Sequence, residues 1–399
     1  MKELMARVAI AEGTSELKAA KKAVELLGGM KRFVKKGDAV FVKPNFMAQF
    51  FPSITSPEAV RETIGLCFAA GAGDVIVAEN PMCQITSEEV FVSTGLKEYL
   101  ESFGAKVLFL DKEKYEPVEV PNGIVLKEIA LPKALLNADV FISMPKMKTH
   151  VLTGVTLGIK NSHGLLLDED KGKHHGSELA QKLVDISKAR KPDLVIMDAF
   201  YSMEGNGPHF GSVKKTGLAL AGDDVVGVDA VTSEIMGFQP LEIKTTELAH
   251  AQGIGNAFPK TLGKKAEEVK TMFKRADLEI PKHFCGITFV EGSPGEGCKE
   301  LLKLGLTLLF AYSQAFPEEF SKVKGLTICY GKTDEPLKGD FVILFGDAAC
   351  QNKGINARKV FKMEGDPPTD WIKLIRRIAI EYRMSILDYF LSCLKGSCQ

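Results

Sequence analysis

The sequence has no excess charge, no long apolar run, no closely paired cysteines and no standard nucleotide loop, and each absence removes a class of protein. Its 51 lysines and arginines balance 51 aspartates and glutamates over 399 residues. A chain of zero net charge has no general electrostatic pull toward nucleic acid or a membrane surface. The longest apolar stretch, Leu304 to Ala315, is broken by Ser313 and Gln314. It falls short of the roughly 20 residues of a membrane span and reads as a buried helix. The opening MKELMARVAIAEG is interrupted by charges and is not read as a signal peptide. Eight cysteines (67, 83, 285, 298, 329, 350, 393 and 398) are scattered and form no C-x-x-C pair. Reduced thiols in a cytoplasm are the expectation, rather than a disulfide framework. There is no H-x-x-x-H or H-E-x-x-H, so spacing supports no zinc site. A Walker A loop and a G-x-S-x-G elbow are also missing, and Gly28-Gly29 follows a helix rather than a strand.

What is present is an alternation of strand and helix signals. Short apolar runs at Arg7 to Ala11, Ala39 to Lys43, Val75 to Ala78, Lys106 to Leu110, Val140 to Ser143 and Leu194 to Met197 read as buried strands. Helical periodicity separates them, as at Glu16 to Phe33 and Glu178 to Ala189. Another helix starts at Pro57 behind the cap Ser56. Leu218 to Ala221 adds a strand and Val225 to Met236 a helix. The pattern predicts an α/β fold, a mostly parallel sheet flanked by helices. Composition turns charged and irregular around Gly253 to Lys282. Two domains are expected: residues 1–265, and a second, smaller α/β C-terminal domain over 280–399 that ends in a long helix from about Thr369.

Ligands of open parallel sheets bind at the carboxyl ends of strands. Four predicted strands end in polar groups here: Lys43-Pro44-Asn45, Glu79-Asn80, Pro145 to His150, and Asp198 with Glu204 to Gly207 beyond it. Lys146, Lys148 and His150 alternate at period two, which places them on one face of an extended segment. Two ammonium groups and an imidazole facing one way suit a carboxylate or phosphate. Lys160, Asn161 and His163 follow in a loop punctuated by Gly154, Gly158 and Gly164. Against this stands the plainer reading of Lys146 and Lys148 as solvated surface lysines. Asp198 reads equally well as a turn cap, Glu204 to Pro208 as a plain turn, and Asp229 as a cap or lysine partner inside a helix. His174 and His175 sit in a charged run that reads as a loop, or as a lid over an anion. His209, His250 and His283 are isolated.

These motifs resemble a known family. Lys43-Pro44-Asn45, the P-K-x-K-T-H of Pro145 to His150 and the G-x-K-N-x-x-G of Gly158 to Gly164 look like hallmarks of domain-of-unknown-function family 362. So do Asp198-Ala199, Glu204 to Pro208, and the G-x-D-x-V-x-x-D of Gly222 to Asp229. The resemblance spans about residues 5–255. It implies a prokaryotic, intracellular and largely uncharacterised protein. Many members are described as iron–sulfur proteins, and some carry ferredoxin-like C-terminal modules. This chain departs from that pattern: it has no C-x-x-C-x-x-C run, and in Met363 to Pro368 Asp366 stands where a related element has cysteine.

Three readings follow. In the first, the protein is an enzyme or binder for a small anionic metabolite. Lys43, Asn45, Lys146, Lys148, Lys160, Asn161 and Asn206 hold the ligand, and His150 or His163 acts as acid or base beside Asp198 or Glu204. In the second, Cys285, Cys298, Cys350 and Cys393 converge on an iron–sulfur cluster. In the third, Glu79, Asp198 and Glu204 bind a divalent metal. No partner macromolecule is indicated, and a homo-oligomer is left open.

Overall fold

A computed structural model describes residues 6–47, 52–82, 85–174, 176–208, 210–295, 297–365, 368 and 370–389. His175, His209, Asp366, Cys83, Cys393 and Cys398 lie outside them. The chain forms two compact units, one of residues up to Lys171 with Ala180–Ala276, the other of Gly172–Leu179 with residues from Asp277 onward.

The first unit is built on a ten-stranded sheet. Its main path runs Lys260–Gly263, Arg7–Glu12, Phe210–Gly222, Leu194–Asn206, Val140–Met144, Ala39–Pro44, Asp74–Glu79, Lys106–Phe109. Along it only Phe210–Gly222 runs antiparallel to its neighbours. The central strands are the apolar runs of the sequence, and Val140–Met144 is buried along its whole length, as strands covered on both faces must be. Helix ends follow local chemistry. Ser15 Oγ accepts from Lys18 N at 3.3 Å to start Glu16–Leu26. Gly71, at φ 109°, ends Pro57–Ala70 in the left-handed conformation that glycine adopts without strain.

Chain direction fixes where a crevice opens. From Ala39–Pro44 the chain steps outward to Asp74–Glu79 and Lys106–Phe109. It then returns to the other side of Ala39–Pro44 as Val140–Met144 and continues that way to Leu194–Asn206. The topological switch point therefore lies between Ala39–Pro44 and Val140–Met144, where Lys43 is in register with Ser143.

Three features differ from the sequence expectation. Leu194 starts a 13-residue strand that runs to Asn206 and pairs with the equally long Phe210–Gly222. Glu204, Gly205 and Asn206 thus belong to the hairpin's arm, and the turn is confined to the residues after Asn206. Gly207 is fixed there by space, since a Cβ would sit 2.1 Å from the Thr149 carbonyl. Residues 115–132 form a separate two-stranded sheet, Tyr115–Glu119 with Glu128–Pro132. Finally, Asp168–His174 is a helix rather than a loop.

The second unit has a five-stranded sheet in the order His283–Phe284, Ile287–Glu291, Leu326–Tyr330, Leu337–Phe345, Ile355–Met363, parallel except for the first pair. The predicted apolar helix is Cys298–Ala315, largely buried. The late helix is Trp371–Tyr382, whose Leu374 and Ile375 pack over Gly305 of the apolar helix. Among the described residues no helix is long and apolar enough to cross a membrane.

Candidate functional site

The carboxyl ends around the switch point carry a set of buried charges. Strand Ala39–Pro44 delivers Lys43 and strand Asp74–Glu79 delivers Glu79, and the two form an ion pair of 2.8 Å. Both side chains are almost wholly out of solvent. Burial pushes the Lys43 ammonium down and the Glu79 carboxyl up, and each partner opposes the other's shift. Glu79 also accepts from the amides of Phe46 (3.0 Å) and Asn80 (2.9 Å). With its lone pairs occupied, the carboxylate tolerates its burial.

A second pair lies on the far side of the switch point. Beyond Pro145 the chain continues as strand Lys146–His150, which pairs with Leu194–Asn206 and with Gly154–Thr156. All five of its residues are buried, so Lys146 and Lys148 are not solvated surface lysines. Lys146 Nζ donates to Asp198 Oδ2 at 2.8 Å. The amide of Ser56, which starts helix Pro57–Ala70, donates to the same oxygen at 2.7 Å. Phe200 N donates to Asp198 Oδ1 at 3.2 Å.

Lys148 is different. Its Nζ donates to Asn45 Oδ1 (2.8 Å), to the Ser53 carbonyl (2.6 Å) and to Met47 Sδ (3.1 Å). Among the described residues no hydrogen-bond partner of Lys148 is a carboxylate. Three acceptors are the complement of an ammonium, which has three N–H bonds. Yet burial drives its pKa well below the ordinary lysine value, and the nearby charges of Lys146, Lys160 and Lys43 push the same way, with Glu79 opposing. The result is a cation site furnished with acceptors but short of negative charge.

Asn161 joins the two halves. Its Oδ1 accepts from Lys43 Nζ (3.1 Å) and Asn45 Nδ2 (3.2 Å), and its Nδ2 donates to Ser143 Oγ (2.9 Å). Asn161 ends the short helix Gly158–Asn161, which also carries Lys160. Asp229, on helix Val225–Ile235, clamps that helix by accepting from Gly158 N (2.6 Å) and Ile159 N (2.9 Å). Burial raises the Asp229 carboxyl to about 7 against the pull of those amides. Lys160 is lowered to about 7 by burial alone. At 9% exposure it retains the most solvent contact of the four lysines.

Two glycines hold this loop against the charges. A Cβ on Gly158 would meet Asp229 Oδ1 at 2.8 Å, and one on Gly164 would meet Glu79 Oε1 at 2.3 Å and Lys43 Nζ at 2.8 Å. Gly164 itself therefore lies directly against the Lys43–Glu79 pair. His150 is buried, and its Nδ1 accepts from Leu152 N at 3.0 Å. A neutral His150 therefore carries its proton on Nε2.

The predicted residues thus fall into groups. Lys43, Asn45, Glu79, Lys148 and Asn161 form one hydrogen-bonded network, with Lys146 and Asp198 in the adjoining strands. Glu204 stands apart. It accepts from Lys214 Nζ (2.8 Å) and Lys274 N (3.0 Å). Burial raises its carboxyl, but these partners outweigh that and hold it below the usual range. Asn206 ends the same strand, half-buried. Glu79, Asp198 and Glu204 are thus each engaged by a different lysine. Among the described residues no group of three His, Cys, Asp or Glu is arranged to hold a metal. Of the four cysteines proposed for a cluster, Cys393 lies outside the described residues. Cys285 precedes strand Ile287–Glu291, whereas Cys298 and Cys350 follow the carboxyl ends of their strands, so the sheet separates them. His250 serves a local turn, its Nδ1 facing the Gly255 carbonyl and the Ala257 amide.

Sequence reasoning missed Thr55 and Ser143. Thr55 Oγ1 accepts from Asn45 N (2.8 Å) and donates to the Met144 carbonyl (2.7 Å), tying the two switch-point strands together. A lone hydroxyl in a loop gives no periodic signal. Register with Lys43 is what identifies Ser143, and that is visible only once the strands are paired.

A buried polar network at the switch point of a parallel sheet defines the class, and comparison with known proteins supplies the family. Residues 40–234 match the domain of unknown function DUF362, a span that contains every residue of the network. A thylakoid-associated protein of Synechocystis sp. is 30% identical over 252 residues, 61% of this chain and 77% of that protein. The chain belongs to the DUF362 family. Among solved structures, the lactate racemase apoprotein of Thermoanaerobacterium thermosaccharolyticum overlaps at a TM-score of 0.41 and 13% identity, covering 82% of this chain and 69% of that one. A Thermotoga maritima protein overlaps at 0.31 and 12%, covering 60% of each chain.

Proposed function

We propose that the switch-point network binds a small anionic metabolite, as an enzyme or a binding protein, with Lys148 as the anchor of the anion. The observation that carries this reading is Lys148 itself: a fully buried lysine, surrounded by other lysines, whose three acceptors are all neutral. A carboxylate or phosphate at this point would supply the missing negative charge. Asn45 aims the ammonium, and the Lys43–Glu79 and Lys146–Asp198 pairs hold the walls. Lys160 lies at the more open side. His150, two residues along the same strand and so on the same face as Lys148, is the acid–base group of this reading. His163 is the second candidate for that role.

The reading fixes a proton linkage. An anion beside Lys148 favours its charged form, so binding takes up a proton and affinity falls as pH rises. Calorimetry in buffers of different ionisation heats measures that uptake. Mass spectrometry of what co-purifies, and melting shifts with carboxylates and phosphates, identify the ligand class. Lys148→Met should abolish both the melting shift and the proton uptake. A protein that carries no ligand and gains no stability from any of these anions is not an anion binder. We also read the protein as cytoplasmic; its free thiols support this, and recovery in a membrane or exported fraction would refute it.

A further inference from the structure

A buried hydroxyl without a partner marks a hydrogen bond that the folded chain leaves for something else. Among the described residues three serine or threonine oxygens are in that state, those of Thr156, Ser233 and Thr246. Ser233 and Thr246 lie on helices Val225–Ile235 and Lys244–Ala251, where side-chain rotation brings a hydroxyl to the carbonyl three or four residues back. Thr156 ends strand Gly154–Thr156, where that option is absent, and it is 4% exposed. The other two threonines of the same hairpin are served: Thr149 Oγ1 donates to the Gly205 carbonyl and Thr153 Oγ1 to the Val155 carbonyl, each at 2.7 Å.

Strand pairing places this hydroxyl. Thr156 is directly opposite Lys148 in the antiparallel pair of Gly154–Thr156 with Lys146–His150. Opposed residues share a face, with Cβ atoms about 4.5–5.5 Å apart. On its other flank Lys148 is in register with the apolar Met203. Lys146, two residues back on the same face, is in register with Asp198 and meets it at 2.8 Å, so opposed side chains on this face do touch.

We propose that the Thr156 hydroxyl is a ligand-binding group, donating a hydrogen bond to the oxyanion whose charge Lys148 balances. This rests on the anion-binding reading above and adds to it a residue and a chemical requirement: the ligand presents its oxygens to a neutral donor as well as to a cation. A carboxylate or phosphate has two or more oxygens, so one meets the ammonium and another the hydroxyl. Of the three acceptors around Lys148, the thioether Met47 Sδ is the weakest, and it is the one an incoming oxyanion replaces. Valine has the shape of threonine and suits a buried strand, whereas an unpaired buried hydroxyl costs stability. Bonding to a ligand gives the hydroxyl its use.

Thr156→Val and Thr156→Ser test this, with inorganic phosphate and acetate as probes in calorimetry of the full-length protein. The unsubstituted protein is expected to bind at least one of them, and the one it binds tells a phosphate ligand from a carboxylate. Thr156→Val should weaken that binding by about tenfold or more, the worth of a hydrogen bond to a charged group. Thr156→Ser, which restores the hydroxyl, should keep most of it. Without a probe, Thr156→Val should melt no lower than the unsubstituted protein, because the hydroxyl it removes has no partner to lose. Equal affinity in Thr156→Val overturns the proposal and leaves the anion-binding reading standing. A lower melting temperature of unliganded Thr156→Val also overturns it, since the hydroxyl then serves the fold. If the unsubstituted protein binds neither probe, both readings fall.

Discussion

Asp74–Glu79 in the first unit and Ile287–Glu291 in the second each end in a glutamate paired with a lysine, and the two pairs have little else in common. Asp74–Glu79 ends in Glu79, which meets Lys43 at 2.8 Å with side-chain exposures of 2% and 1%. Ile287–Glu291 ends in Glu291, which meets Lys299 at 3.0 Å with exposures of 50% and 34%. Similar distances in different dielectric surroundings give different physics. The exposed pair is screened and contributes little. The buried pair has lost its hydration and depends on its partners. The contrast extends to the whole units. The first unit buries Lys43, Glu79, Lys146, Lys148, Lys160 and Asp198 around its switch point, whereas Lys303 is the buried charge among the described residues from Asp277 onward. Both units are parallel α/β structures, so the architecture alone does not make a site.

The largest test of the contrast is to break the buried pair. Glu79→Gln leaves Lys43 buried without its counter-charge and should cost about 3–5 kcal/mol in urea denaturation. Gly164→Ala presses a methyl group against the same pair and should cost about 1–3 kcal/mol, with weakened anion binding in calorimetry. A stability equal to that of the unsubstituted protein would show that the loop moves aside.

The pH dependence sharpens the comparison further. Native Asp229 holds its proton up to about 7, while the unfolded chain releases it near 3.8. Its contribution to stability therefore falls as pH rises between those values, by at most about 1.4 kcal/mol per pH unit. Native Lys160 loses its proton near 7, while the unfolded chain keeps it to 10.5. Its contribution rises with pH across that window. Asp229→Asn should flatten the lower limb of a stability–pH curve and Lys160→Met the upper limb, as followed by urea denaturation at stepped pH. The smallest effect belongs to the second unit: Glu291→Gln should change stability by less than about 1 kcal/mol, and less still in high salt.

Much of the layout was legible in the sequence, because buried parallel strands are short apolar runs and their ends are marked by Pro, Gly and polar residues. That logic located Lys43, Asn45, Glu79, Lys146, Lys148 and Asp198. It could not show that Lys43 selects Glu79 and Lys146 selects Asp198, since pairing depends on strand order. Nor could it show that Lys146 and Lys148 are buried, because lysine is ordinarily a surface residue. The long hairpin from Leu194 to Gly222 was legible only in part. Its outer half is glycine- and lysine-containing, and it is held by pairing across the two arms rather than by an apolar pattern.

The clamp of Asp229 on Gly158 and Ile159 also bears on how the protein is made. Asn161 meets Lys43 across 118 residues, and Asp229 meets Gly158 across 71. During synthesis Lys43 and Glu79 are therefore exposed long before the segment that completes their surroundings has left the ribosome. The central strands can collapse on apolar contacts alone, but withdrawing Lys43 and Lys146 from water requires acceptors supplied by later parts of the chain, Glu79 and Asn161 for the first and Asp198 for the second. Closure of the polar centre is thus a late event, after translation has passed Asp229, and the half-made protein presents a hydrated, positively charged cleft in its place.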